Sequence, residues 1–301
     1  MSLYSLSLDR DHFGLSKLPF HSLLVHWRIS DALYVLLIIF LDGAVFERIE
    51  PYQRQFTIND LTISHPFAEV ERVSGPALLN IVTIVPTLII FTGVLLLTPR
   101  HHKLYVLYVS LIGQYVSLGT CVFITDVFKN WIGRCRPDFL ARCQPDPAAL
   151  KDTLYYASEI CTTTNKGRLL DGFRTTPSGH SSMSFSGLGY ATLWLLGQLT
   201  ATKSDVGAWR AIVSLLPALY ASYVAMSRTQ DYRHHFVDVI LGSILGSLIA
   251  WWSYRRLFPA VTSSNSYTPT ALHSDDKEHE YTRLQDESYQ LAPHSEDEPP
   301  V

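Results

Sequence analysis

Three short clusters in the sequence combine side chains that bind phosphate with side chains that transfer protons. They lie at residues 129–137, 176–181 and 227–238. Guanidinium and ammonium groups bind phosphate oxygens. Histidine titrates near neutral pH and can act as a nucleophile or as a general acid and base. Three clusters of this kind in one chain indicate chemistry on a phosphate group.

The first cluster places Lys129 seven residues before Arg136, which Pro137 follows directly. This spacing predicts that both cations lie on one helical face, two turns apart, and that the helix ends at the proline. Arginine would bind an anion as a planar fork and lysine as a point charge. Basic residues at the end of a membrane span also often reach to lipid head groups without binding a ligand.

The second cluster is Thr176-Pro-Ser-Gly-His-Ser181. Gly179 removes a Cβ, so backbone N–H groups at a helix start could face an anion. Ser178 adds a hydroxyl donor, and His180 is a titratable group beside it. The structural alternative is a helix-capping Pro-Ser turn followed by an interfacial histidine.

The third cluster contains Arg228, His234, His235 and Asp238. His234 and Asp238 are four residues apart, so on a helix the carboxylate could hold one ring nitrogen and direct the other outward. This is the logic of a catalytic triad in which imidazole itself is the nucleophile. His235 is three residues from Asp238, so the spacing leaves both histidines open. A structural His–Asp hydrogen bond is the alternative.

Long segments without charge must position these clusters. A hydrocarbon core of about 30 Å requires about 20 apolar residues as a helix. Five runs are uncharged and a sixth is interrupted by Asp42: Ala32–Phe46, Pro76–Thr98, Leu104–Thr125, Ser181–Thr202, Ala211–Ser227 and Val239–Tyr254. We predict an all-α integral membrane protein with six transmembrane helices, because soluble buried helices would not explain so many uncharged runs.

The charge distribution divides the chain into three parts. Only 17% of the 301 residues are charged, against about 25% in average soluble domains, and the net charge is −3. These values argue against a disordered protein, an ordinary cytosolic enzyme and a nucleic-acid partner. Residues 259–301 carry nine acidic and two basic residues, so we predict a disordered acidic cytoplasmic tail. Residues 1–28 are predicted to be a cytoplasmic N-terminal segment without a signal peptide, and 29–258 the membrane domain.

With six spans, the loops that carry the three clusters face the same side of the membrane. Both termini are then predicted to be cytoplasmic and the site lumenal or extracellular, although the third loop holds many cations that the positive-inside rule would place in the cytoplasm. If that loop is lumenal, Cys143 and Cys161 could form a disulfide, and reduced thiols are the alternative.

The three clusters, taken in order, resemble the signature of the type 2 phosphatidic acid phosphatase (PAP2, lipid phosphate phosphatase) superfamily. The pattern is K-x6-R-P, P-S-G-H and S-R-x5-H-x3-D. The resemblance covers about Ala32 to Tyr254, and two stretches, residues 53–67 and 129–140, resemble the fungal diacylglycerol pyrophosphate phosphatases. Thr176 departs from the pattern, because relatives often carry an aromatic residue there.

The resemblance implies an acid-phosphatase-like helical core and a role for each matched residue. His234 would attack phosphorus, Asp238 would hold its ring, and His180 would act as acid and then base. Phosphate oxygens would be bound by the remaining matched residues: Lys129, Arg136, Ser178, Gly179 and Arg228. The sequence shows no motif for Mg²⁺ or Zn²⁺, so we predict metal-independent activity without a cofactor.

The expected substrates are membrane phospholipid phosphates: diacylglycerol pyrophosphate, phosphatidate or lysophosphatidate. The protein would reside in an endomembrane (vacuole, Golgi or endoplasmic reticulum) or in the plasma membrane, and a homo-oligomer is left open. Three other functions are alternatives. A lipid phosphotransferase of the same superfamily would use the same motifs. A non-catalytic scaffold would be expected to have lost them, and a transporter would be expected to have more charges within its spans.

Overall fold

The computed structural model describes residues 20–45 and 48–272. Residues 1–19 of the predicted N-terminal segment and 273–301 of the predicted tail lie outside this part. The described residues form ten α-helices: α1 (His21–His26), α2 (Ile29–Ala44), α3 (Gly75–Leu97), α4 (Lys103–Ile132), α5 (Phe139–Cys143), α6 (Ala157–Ile160), α7 (Lys166–Asp171), α8 (Gly179–Gln198), α9 (Trp209–Gln230) and α10 (Phe236–Leu257). The all-α class is as predicted.

Helix α8 lies at the centre of the bundle and contacts α3, α4, α9 and α10. Small residues on α10 permit the closest of these approaches. A Cβ on Gly242 would lie 2.5 Å from the carbonyl oxygen of Ser178, and one on Gly246 would lie 2.2 Å from that of Ser182. The G-x-x-x-G pattern therefore packs α10 directly on the backbone of α8.

Several long helices have the length and the surface of membrane spans. In the described part of the chain, four segments are long and apolar enough to cross a membrane: Gly75–Leu97, Arg100–Ile132, Trp209–Gln230 and Phe236–Leu257. Their outer faces carry exposed apolar side chains such as Leu96, Leu219 and Ile240. Helix α2 has 16 residues, and α8 is rich in Ser and Gly, so neither joins these four. Six spans therefore remain a prediction.

Two segments between the long helices fold together at one end of the bundle. They are residues 48–74, before α3, and 133–178, between α4 and α8. Phe56 pairs with Tyr155 through two backbone hydrogen bonds, and the side chains of Phe139 and Phe173 pack in the same apolar cluster. Cys143 and Cys161 are joined by a disulfide, which selects one of the two alternatives left open by the sequence.

The first part of the predicted tail, residues 259–272, packs against the opposite end of the bundle. Ser266 is fully buried and its hydroxyl donates to the carbonyl oxygen of Gly197 in α8, while Leu272 joins the main apolar cluster. The predicted boundary at 259 is therefore too early, because this stretch buries side chains between α8 and α10.

Candidate active site

The end of the bundle covered by segments 48–74 and 133–178 contains a pocket of about 210 Å³. Its walls carry mostly charged and titratable side chains: Glu71, Gly75, Lys129, Arg136, Asp171, His180, Arg228, Arg233 and His234. Five of the eight predicted site residues, one or more from each cluster, are in this set. The other three predicted residues, Ser178, Gly179 and Asp238, are buried and do not line the pocket.

Lys129 and Arg136 reach the pocket from different structural elements, contrary to prediction. Helix α4 ends at Ile132, because Gly133 adopts a left-handed conformation (φ 61°) that closes the helix before Arg136. Arg136 therefore lies on the following loop and is buried there. Its Nη1 donates to the backbone carbonyl of Arg233, which fixes the guanidinium beside the third cluster.

His234 is buried, and each of its ring nitrogens has a neighbour. Nδ1 lies 2.7 Å from the backbone carbonyl oxygen of Thr175, so this nitrogen carries the proton and donates it. Nε2 is therefore the acceptor nitrogen and lies 3.3 Å from Nη1 of Arg136. Burial, Arg136 and Arg228 hold the pKa of His234 well below its usual range. The ring is thus neutral, with a lone pair on Nε2.

Asp238 does not hold this ring directly, which corrects the role expected from the four-residue spacing. His234 precedes α10, so the helical geometry behind that expectation does not apply to it. Oδ2 of Asp238 accepts from the hydroxyl of Thr175 at 2.7 Å and from the backbone N–H of His235 at 2.8 Å. Oδ1 accepts from the hydroxyl of Thr176 at 2.6 Å. The carboxylate therefore positions Thr175, and Thr175 orients His234.

His180 occupies the first turn of α8, ahead of the uncharged run. Its Nε2 lies 3.0 Å from the backbone carbonyl oxygen of Val73, so Nε2 donates and Nδ1 is left for another partner. Burial and the cations Arg228 and Lys129 lower the pKa of His180 to about 3. A bound phosphate would raise this pKa, because its negative charge offsets those cations.

Ser178 and Gly179 build the start of α8. Ser178 is the N-cap, and its Oγ accepts from the backbone N–H and the hydroxyl of Ser181, as in the capping alternative. Gly179 makes space for the first cluster, because a Cβ there would lie 2.7 Å from Nζ of Lys129. Because glycine has no side chain, the ammonium group of Lys129 can lie against the N-terminus of α8.

Two carboxylates and a fourth cation in the pocket were missed by the sequence analysis. Oδ1 of Asp171 accepts from Nη2 of Arg136 at 2.8 Å. Glu71 contacts both Arg228 and Arg233. Burial raises the pKa of Asp171, but Arg136 and Arg142 outweigh it and hold that pKa well below its usual range. Arg233 directly precedes His234, so its position in the sequence could have suggested it as a site residue. Glu71 is far from all three clusters in the sequence and belongs to no motif.

Within the described residues, no group of three His, Cys, Asp or Glu side chains is arranged to hold a metal ion. The pocket instead concentrates cations: Lys129, Arg136, Arg228 and Arg233, against Glu71 and Asp171. An anion would be bound by these fixed donors, and a neutral imidazole would face it.

Comparison with known proteins finds a matching family and relatives that cover most of the chain. Residues 110–261 match the PAP2 superfamily. The chain is 49% identical to diacylglycerol pyrophosphate phosphatase 1 of Saccharomyces cerevisiae, over 86% of this chain and 89% of that protein. It is 39% identical to the probable diacylglycerol pyrophosphate phosphatase 1 of Schizosaccharomyces pombe, over 80% and 85% of the two chains. Lipid phosphate phosphatase 2 of Arabidopsis thaliana is 29% identical, over 86% and 88%. No solved structure matches.

Proposed function

The chain belongs to the PAP2 superfamily, and we propose that it is a membrane-bound lipid phosphate phosphatase that acts on diacylglycerol pyrophosphate and phosphatidate. The observation that carries the proposal is the single pocket in which a neutral, oriented His234 faces four cations. A phosphatase active site needs a nucleophile and fixed positive charge around the transferred phosphoryl group.

In the first step, Nε2 of His234 attacks the terminal phosphorus. The nitrogen–phosphorus bond forms as the bond from phosphorus to the lipid oxygen breaks, and the electron pair stays on that oxygen. His180 gives it a proton when the leaving group is an alcohol. Lys129, Arg136 and Arg228 bind the phosphoryl oxygens and offset the charge of the transition state.

In the second step, a water molecule takes the place of the departed lipid, on the side of the phosphorus opposite His234. His180, in its neutral form, takes a proton from this water as the water attacks the phosphohistidine. The nitrogen–phosphorus bond breaks, inorganic phosphate leaves, and His234 returns to its starting state. Because the cations supply the positive charge, the proposed reaction needs no metal ion.

The position of the pocket favours an amphiphilic substrate. It lies at the ends of α4, α9 and α10, helices that are long and apolar enough to cross a membrane. A phosphate head group could enter from the interface while the acyl chains stay in the bilayer. The relatives named diacylglycerol pyrophosphate phosphatase and lipid phosphate phosphatase support this substrate class.

Phosphate release from phosphatidate and from diacylglycerol pyrophosphate, in mixed micelles containing EDTA, tests the proposal. We expect activity in EDTA, complete loss in His234→Ala, and most of the activity in the matched variant His235→Ala. His235 is the control because it adjoins the nucleophile but does not line the pocket. Strict dependence on Mg²⁺, or an active His234→Ala enzyme, would contradict the mechanism.

We also propose that the pocket faces the lumen of an endomembrane compartment (vacuole, Golgi or endoplasmic reticulum) or the outside of the cell. The disulfide between Cys143 and Cys161 supports this side, because disulfides persist in oxidising compartments and this one lies in a segment that covers the pocket. Leu150→Cys places a thiol at an exposed position of that segment. A membrane-impermeant maleimide should label it in sealed, cytoplasmic-side-out vesicles only after detergent is added. Labelling without detergent would refute the proposal.

A further inference from the structure

Arg233 is a cation of the pocket to which the three-part motif gives no role. The motif accounts for Lys129, Arg136 and Arg228 as ligands of the phosphoryl group that His234 attacks. Arg233 lines the same pocket, and its side chain is only 8% exposed. Burying a guanidinium is costly unless a partner compensates it, so its partner indicates what Arg233 can bind.

Arg233 pairs with two carboxylates: the buried Asp138, outside the pocket, and Glu71, which lines the pocket and is shared with Arg228. One carboxylate oxygen lies 2.7 Å from Nη2 of Arg233 and the other 3.1 Å from Nη2 of Arg228. A carboxylate that accepts from two guanidinium groups mimics a phosphate in the same place. Glu71 lies on the loop before α3, and its side chain is 23% exposed, so an entering anion can replace it.

The position of Glu71 relates it to the leaving group. The carbonyl oxygen of Val73, two residues later, accepts from both His180 and Arg228. His180 is the group proposed to protonate the departing oxygen. Glu71 and its two arginines therefore lie on the wall of the pocket that faces the leaving group, where the second phosphate of a diphosphate head group would be.

The charge balance favours the same occupant. Among the side chains that line the pocket, four cations face two carboxylates, Glu71 and Asp171, which leaves an excess of two positive charges. Asp231 and Asp138, which pair with Arg228 and Arg233, do not line the pocket. This excess matches a phosphate monoester, which carries about −1.5 to −2 at neutral pH. Displacing Glu71 raises the excess to three, which suits a diphosphate monoester, because its second phosphate adds one more negative charge.

We propose that Arg233, released from Glu71, binds the second phosphate of a diphosphate lipid and that this subsite favours diphosphate over monophosphate head groups. The inference rests on the proposed phosphatase function and extends it to substrate selection. When the bond from the terminal phosphorus to the bridging oxygen breaks, the electron pair passes to the second phosphate. Arg233 stabilises the charge that develops there.

The test is the ratio of kcat/KM for diacylglycerol pyrophosphate to kcat/KM for phosphatidate with the same acyl chains. This ratio does not depend on the fraction of enzyme that is correctly folded. We expect Arg233→Gln to lower it about tenfold or more, and Arg233→Lys to lower it less. Arg168→Gln is the matched control. Its guanidinium packs on the same Phe67 ring as that of Arg233, but it lies outside the pocket, so the ratio should not change.

An equal loss on both lipids in Arg233→Gln, with an unchanged ratio in Arg233→Lys, would overturn the proposal and leave the ion pair a structural role. If Arg233→Gln yields no active protein, the ratio in Arg233→Lys decides. Glu71→Gln should lower KM for the diphosphate lipid several-fold, and an unchanged KM would refute displacement of Glu71. Failure of the proposed function would look different, because the wild type would then release phosphate from neither lipid.

Discussion

The pocket and the helix bundle beneath it are both rich in buried polar groups, but they satisfy them in different ways. In the pocket region, guanidinium groups pair with carboxylates, as in Arg142 with Asp138 and Arg136 with Asp171. In the bundle, small hydroxyls bond to each other or to the backbone, as in Ser117 with Ser186. Ion pairs can exchange a partner for a charged ligand, whereas neutral bonds only join helices. Substitutions in the first region should therefore change catalysis, and those in the second should change stability.

The largest effect is expected at His234. His234→Gln keeps a polar side chain but removes the proposed nucleophile, so kcat should fall by at least about 10³-fold. The thermal unfolding midpoint in detergent should stay within a few degrees of the wild type. If the variant retains activity, or loses activity only because it unfolds, then His234 does not affect catalysis separately from stability. The proposed difference between the pocket and the bundle would then be wrong at His234.

The next effect is expected within the bundle. Gly246→Ala places a Cβ against the carbonyl oxygen of Ser182, so α8 and α10 must separate. We expect a loss of about 1–3 kcal/mol of stability, seen as a lower unfolding midpoint, with an unchanged KM in the protein that remains folded. Ile244→Ala on the exposed face of α10 is the matched control and should alter the midpoint much less. A stable Gly246→Ala variant would contradict the packing.

Substitution of Asp238 tests whether a residue that positions His234, without lining the pocket, affects catalysis. Asp238→Asn removes one of the two acceptor oxygens that hold Thr175, Thr176 and the backbone of His235. We expect kcat to fall about 10- to 100-fold with little change in KM, because the substrate contacts remain. Thr175→Val keeps the carbonyl that orients His234 and loses only the hydroxyl, so it should be affected less. Wild-type kcat in Thr175→Val would refute the relay from Asp238 through Thr175.

Acidification should weaken the pocket region through its buried histidines. The pKa of His234 is lowered in the folded protein, and that of His180 to about 3, whereas unfolded histidine titrates near 6.5. The unfolded chain therefore binds more protons below about pH 6.5, and stability should fall by up to about 1.4 kcal/mol per pH unit for each histidine. His234→Gln should show a shallower fall in unfolding midpoint between pH 7 and 5. A slope equal to that of the wild type would argue against a neutral buried His234.

The smallest effect is expected from the neutral contacts. Ser117→Ala removes one hydroxyl contact with Ser186 and leaves the helices in place, which should cost about 1 kcal/mol and leave kcat unchanged. The unfolding midpoint and phosphate release measure the two quantities. A large loss of activity would show that the bundle contributes directly to catalysis.

Features that follow local rules were predictable from the sequence. The uncharged runs gave the all-α membrane class, because spans must be apolar. The three clusters gave five residues of the pocket, because phosphate chemistry needs those side-chain types.

Features that depend on tertiary contacts were not predictable. The carboxylate of Glu71 comes from a loop without a motif, and the carbonyl of Thr175 is a backbone group that no residue type reveals. Gly133 ended α4 before Arg136, because a left-handed glycine closes a helix earlier than the proline further along the chain. The spacing of His234 and Asp238 suggested a helical pair, but His234 precedes the helix.

The central claim is that His234 becomes covalently phosphorylated, and trapping this intermediate tests it most directly. In His180→Gln, diacylglycerol pyrophosphate should still react, because the departing phosphate needs no proton, but water should no longer be activated. Incubation with substrate labelled in the terminal phosphate should therefore leave label on the protein that is acid-labile and base-stable. That label should be absent from the variant that also carries His234→Gln. Label that persists in the double variant, or no protein-bound label in His180→Gln, would contradict the account.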